Sequence, residues 1–147
     1  MYKILLAADG SAQSFKALDF VAQIAKPLDA EVTIISVAQA VPVIKGQDGI
    51  SFEDIASLEK NIAEGMKKMA KKLLEKAEEA FMEKGLQVKT RLEKGQPADV
   101  ICKVAEDENF DLVVLGSRGL GGFKGMLLGS VSNKVVNRVT TNVLVIK

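Results

Sequence analysis

Asp111-Leu112-Val113-Val114-Leu115-Gly116-Ser117-Arg118-Gly119 runs through a further glycine-rich stretch to Gly129-Ser130-Val131-Ser132, and the fold turns on this segment. Leu112 to Leu115 is a short apolar run without alternation, the pattern of a strand buried on both faces. A strand buried on both faces needs helices on either side of its sheet. Ser130 to Val139, with Val131, Val135, Val136 and Val139 at helical spacing, supplies one directly after the glycines.

Outward from this unit the same grammar repeats. Ile4 to Ala8 is another apolar run, ending at Asp9-Gly10-Ser11, a turn and helix cap. Phe15, Leu18, Val21, Ala22 and Ala25 then predict an inward helical face up to Pro27. Glu31 to Val37 is β-branched and predicts a second buried strand. Pro42, Gly46 and Gly49 interrupt any period, so 38–56 is predicted as a long surface loop, either a variable connection or a lid. From Ser57 to Lys84 a long helix is predicted, with Leu58, Ile62, Met66, Met69, Leu73, Ala77 and Phe81 on its core face and Gly85 ending it. Gln87 to Glu93 alternates, as an edge strand does, and Pro97 opens a helix reaching about Asn109. Val143-Leu144-Val145-Ile146 is the last strand. Five strands alternating with four helices predict one α/β domain over 1–147, an open and mostly parallel sheet with helices on both faces.

Composition narrows the chemistry. The chain of 147 residues has no histidine, which removes Ser-His-Asp triads, Cys-His dyads and histidine metal sites. Twenty basic residues against 19 acidic ones leave a net charge of +1, so neither nucleic acid nor a membrane surface is an expected partner. The single Cys102, among Val100, Ile101 and Val104, is expected to be a buried inert thiol. The first apolar run is too short for a signal-peptide core or a membrane span, and a cytoplasmic location is expected.

In open parallel sheets, ligands bind beyond the carboxyl ends of the strands, where strand order reverses. Glycines there let backbone N–H groups approach an anion closely or adopt positive φ, and a helix N-terminus adds unpaired donors. Gly129-Ser130-Val131-Ser132 stands at such a terminus, where the serines either cap the helix or donate to a phosphate. Arg118 and Lys124 either add charge to that site or point into water. The loop is not a P-loop, because Gly125 and Met126 follow Lys124. It is not a dinucleotide fingerprint either, since Gly119-Leu120-Gly121 meets Lys124 where a third glycine belongs.

The spacing Gly116-x2-Gly119-x9-Gly129-Ser130 resembles the G-x2-G-x9-G-S/T motif of ATP-binding universal stress proteins. The flanking Asp111 to Gly119 and the opening Ile4 to Ser11 are similar to that family as well, and the likeness is weakest between residues 38 and 95. The resemblance implies strand order 3-2-1-4-5 with the nucleotide over the gap between strands one and four. It places Asp9 near the ribose or a metal-bound phosphate and the main chain of Val37 at the adenine edge. Gly116 would lie under the ribose, and Gly119, Gly129, Ser130, Val131 and Ser132 would hold the phosphates. The implied ligand is ATP, or alternatively AMP or ADP, with Mg2+ accompanying the nucleotide. Asp9 has a second role open to it as the cap of the first helix, and Asn142 stands where the family often has proline.

Three functions follow as alternatives: a nucleotide-binding regulatory module with little or no hydrolysis, a slow ATP-hydrolysing enzyme, and a ligand-free interaction domain. With only Asp9, Arg118 and Lys124 available as contributors, phosphoryl transfer lacks a positioned base and a second metal carboxylate. The apolar last strand, Val143 to Ile146, predicts a homodimer that pairs two such edges about a two-fold axis.

Overall fold

β1 (Tyr2–Ala7) buries Ile4, Leu5 and Leu6 completely, because both faces of the sheet are covered. The computed structural model describes residues 1–39, 51–119 and 127–147. In chain order β1 is followed by α1 (Ala12–Ala25), β2 (Ala30–Ala38), α2 (Phe52–Glu83), β3 (Lys89–Lys94), α3 (Pro97–Asp107), β4 (Leu112–Gly116), α4 (Ser130–Arg138) and β5 (Asn142–Ile146). The strands form one parallel five-stranded sheet in the order β3-β2-β1-β4-β5. This is the α/β architecture and strand order expected from the sequence.

Two cores follow from the pleat. Ile4, Leu6, Val32 and Ile34 point to the face of α1 and α2, where Leu18, Val21, Leu74 and Phe81 meet them. Leu5, Ile35, Val113 and Leu115 point to the other face, against Ile101, Val104, Ala105 and Val135 of α3 and α4. The edge strand β3 is tied down by charge. Arg91 pairs with Glu93 at 2.6 Å and with Glu108, and these hydrogen bonds raise the pKa of its guanidinium.

Several expectations are corrected. Helix α2 begins at Phe52, five residues before the predicted start at Ser57, because the Ser51 hydroxyl accepts from the Asp54 N–H and Glu53 and Asp54 sit in the first turn. Residues 52–56 therefore belong to the helix, and residues 40–50 of the expected loop lie outside the described residues. The α2 methionines are not core: Met69 is 67% exposed and Leu58 48%, and burial is confined to Ala70, Leu74, Ala77 and Phe81. The reason is length. At 1.5 Å per residue α2 runs roughly 48 Å, against about 30 Å for β2 beneath it, so its first half projects past the sheet. Phe15 and Val136, read as inward, are exposed. Cys102 is half-buried rather than buried, and its thiol pKa is raised by burial and by the nearby Glu106 carboxylate. Among the described residues no helix is long and apolar enough to cross a membrane.

Candidate functional site

A crevice opens where the strand ladders part. β1 pairs with β4 only from Ile4 opposite Leu112 to Leu6 opposite Val114. Beyond that point β1 follows β2, with the Ala8 N–H donating to the Ile35 carbonyl at 2.9 Å. β4 follows β5 instead, and the Ser117 N–H donates to the Ile146 carbonyl at 2.6 Å. The separation lies at the reversal of strand order, where β1 has β2 on one side and β4 on the other.

The loops around the split are built from their own short side chains. The chain turns out of β1 at Gly10, whose φ of +85° is one that side chains other than glycine rarely adopt. Ser11 caps α1, accepting from the Ser14 N–H at 3.1 Å, so the cap role open to Asp9 falls to Ser11. Asp9 instead accepts from the Ser11 N–H at 2.9 Å through Oδ1. Its Oδ2 lies 3.0 Å from where a Cβ would stand on Gly119, so carboxylate and glycine face each other across the crevice. The Ser11 hydroxyl donates to the Arg118 carbonyl at 3.3 Å and ties the two loops together.

At the far end, the Gly129 N–H donates to the Ser117 carbonyl at 2.6 Å, and the buried Ser132 hydroxyl donates to the same oxygen at 2.8 Å. A Cβ on Gly129 would lie 3.2 Å from the Arg118 Cα and 3.3 Å from the Gly119 nitrogen. The crossing of these two chain segments thus needs glycine for space. Neither Gly119 nor Gly129 has positive φ, so backbone freedom plays no part in the choice of glycine at either position. Gly129 precedes α4 without a side-chain cap, which leaves the first-turn N–H groups of Ser130 and Val131 without a side-chain acceptor at the crevice.

The resulting cavity of about 800 Å³ is of the size that takes small ligands. Asp9, Val37, Gly116, Gly119, Gly129, Ser130 and Val131 all line it. Ser132 does not, and its hydroxyl is spent on holding the loop. Gly116 carries a packing duty as well, because a Cβ there would stand 2.7 Å from the Gln13 Cβ and 2.8 Å from the Gln13 carbonyl carbon of α1. Lys124 lies outside the described residues.

Sequence reasoning missed the wall opposite the sheet. Phe15, Met66, Met69, Lys72 and Lys76 also line the cavity, contributed by α1 and the middle of α2. Their helical spacing was visible, but no pattern along the chain says that a helix overhangs a cavity rather than a core. Among the described residues there is no cluster of three carboxylate or cysteine side chains able to hold a metal. A metal ion accompanying a ligand here would draw its protein contact from Asp9 alone among the named residues.

The family model of the universal stress protein family matches residues 1–147. A universal stress protein of Bacillus subtilis, YxiE, is 40% identical over 99% of this chain and 98% of its own length. The solved universal stress protein UspA from Lactobacillus plantarum superposes with a TM-score of 0.85 at 22% identity, covering 99% of this chain and 97% of that one. A universal stress protein solved in complex with cAMP superposes with a TM-score of 0.69 at 26% identity, over 99% of this chain and 97% of the other. A parallel sheet of this order with a glycine-lined crevice at its switch point defines a Rossmann-like α/β protein. The chain belongs to the universal stress protein family.

Proposed function

We propose that this chain is a stress-response regulatory module that binds an adenine nucleotide, ATP with its Mg2+, in the crevice between β1 and β4. The observation that carries this reading is the convergence of four separate segments, at Asp9, Val37, Gly116 to Gly119 and Gly129 to Val131, on one cavity. The base sits against Val37, whose main chain lies next to the end of β2, between the apolar walls supplied by Ala38, Ile101 and Leu115. The phosphates sit on Gly119 and Gly129, where a side chain would occupy their space, and accept from the free N–H groups at the start of α4. Asp9 stands opposite as the ligand for a phosphate-bound cation. The cAMP complex of a family member at 26% identity supports an adenine nucleotide as the ligand class.

The same reading makes residues 1–147 one cytoplasmic domain that works as a homodimer through β5. Val143 to Ile146 lie on an edge strand paired only with β4 and are all half-buried, so a second copy would cover both their side chains and their open backbone groups. Isothermal titration of nucleotide-stripped protein with ATP, AMP, GTP and FMN tests the ligand. Micromolar ATP affinity, about −8 kcal/mol at 1 μM, with GTP and FMN at least tenfold weaker, is the expected result. Equal affinity for GTP, or heat with none of the four, removes the adenine reading.

A further inference from the structure

We propose that the projecting half of α2 is a self-association surface, on which a second copy of this chain lays its own α2 antiparallel. From Phe52 to Met69 the helix buries no side chain, yet Phe52, Ile55, Leu58, Ile62, Met66 and Met69 recur at spacings of three and four. Phe52 is 85% exposed, and Leu58 and Met69 are exposed beside it. The stripe is roughly 27 Å long at 1.5 Å per residue.

The charges say what fits there. In residues 52–66 acidic Glu53, Asp54, Glu59 and Glu64 outnumber the one base, Lys60, and in residues 67–77 Lys67, Lys68, Lys71, Lys72 and Lys76 outnumber the one acid, Glu75. A parallel copy would set like charges side by side, whereas an antiparallel copy sets each sign on its opposite. A two-fold axis near Ala63 brings Asp54 opposite Lys72, a pair that occurs twice by symmetry. Asp54 and Lys72 are about five helical turns apart and so share one flank of the stripe. Neither of these two side chains forms an ion pair among the described residues. In about the same register Leu58 meets Met69 and Ile62 meets Met66 of the second copy. Gly65 stands beside the axis. Glycine weakens a helix interior, and a Cβ here would meet nothing within 4 Å among the described residues, so packing among them gives no reason for it. Close approach of a second helix does. The seam is separate from β5, and because Met66, Met69 and Lys72 also line the cavity it lies beside the proposed nucleotide site.

Sedimentation equilibrium of the full chain over a wide concentration range tests this, with Val145→Lys included to remove pairing through β5. The Val145→Lys protein is expected to remain a reversible dimer, and adding Leu58→Glu or Met69→Glu is expected to weaken that association at least tenfold. Both positions are solvent-exposed, and unchanged far-UV dichroism shows that the fold persists. Asp54→Lys alone is expected to weaken it, and the double swap with Lys72→Asp to restore it. If Val145→Lys does not fold, Leu58→Glu in the wild-type background is expected to remove every species heavier than a dimer. A Val145→Lys protein that is monomeric throughout, or a swap that restores nothing, overturns the inference. Cosedimentation of that monomer with phosphatidylglycerol vesicles, lost in Leu58→Glu, overturns it in favour of a lipid surface.

Discussion

At the scale of single residues, the glycines of the motif do different work. Gly116 makes room for α1: a Cβ there would press on the Gln13 backbone, which is fixed by the helix and cannot swing aside. Gly119 has only the tip of the Asp9 side chain nearby, so a Cβ there displaces a carboxylate and fills ligand space without touching the core. Gly116→Ala is therefore expected to cost about 1–3 kcal/mol of stability, the usual range for overpacking, read as a shift in the denaturant midpoint. Gly119→Val is expected to leave that midpoint almost unchanged while lowering ATP affinity at least tenfold. The reverse pattern, a destabilised Gly119→Val that still binds, would place the ligand elsewhere. The spacing of these glycines was legible along the chain. The difference between them was not, because it depends on what stands across from each one in space.

At the scale of elements, α2 divides into two functional lengths. From Ala70 onward its inward residues sit on β2 and β3, and before Ala70 its apolar residues face the cavity and solvent. Phe81→Ala is expected to cost roughly 3–5 kcal/mol, as large-to-small changes at fully buried aromatics do. Met69→Ala is expected to change stability by less than about 0.5 kcal/mol, as exposed positions do. Urea unfolding of the two variants compares them directly, and a Met69→Ala as damaging as Phe81→Ala would mean that the first half of α2 is packed after all. Periodicity showed a helix here with an apolar face. It could not show where that face runs out of sheet, since the extent of β2 beneath it is set by a different part of the chain. The early start at Phe52 was legible in Ser51-Phe52-Glu53-Asp54, whose hydroxyl and acidic first turn suit a helix N-terminus.

At the scale of the whole molecule, the crevice offers binding groups and few catalytic ones. With no histidine in the chain and Asp9 as the one carboxylate lining the cavity among the described residues, turnover of bound ATP is expected below about one per minute, a barrier above about 20 kcal/mol. Asp9→Asn is expected to weaken Mg2+-dependent affinity more than it slows turnover. Single-turnover measurements with labelled ATP decide it: hydrolysis faster than about one per second, lost in Asp9→Asn while binding survives, would make the protein an enzyme. The sequence by itself determined the α/β class, the order of elements and the glycine spacing that marks the crevice. Those are properties of neighbouring residues: β-branched runs favour strands, apolar residues at helical spacing favour helices, and glycine marks the turns. The choice of Ser11 rather than Asp9 as the cap of α1 is made locally, where the chain turns at Gly10. Tertiary structure alone decided that Ser132 latches a loop away from the cavity and that α2 projects beyond its sheet to form the cavity's second wall, because each depends on segments apart in the chain, Ser132 with Ser117 and α2 with β2, meeting in one volume of space.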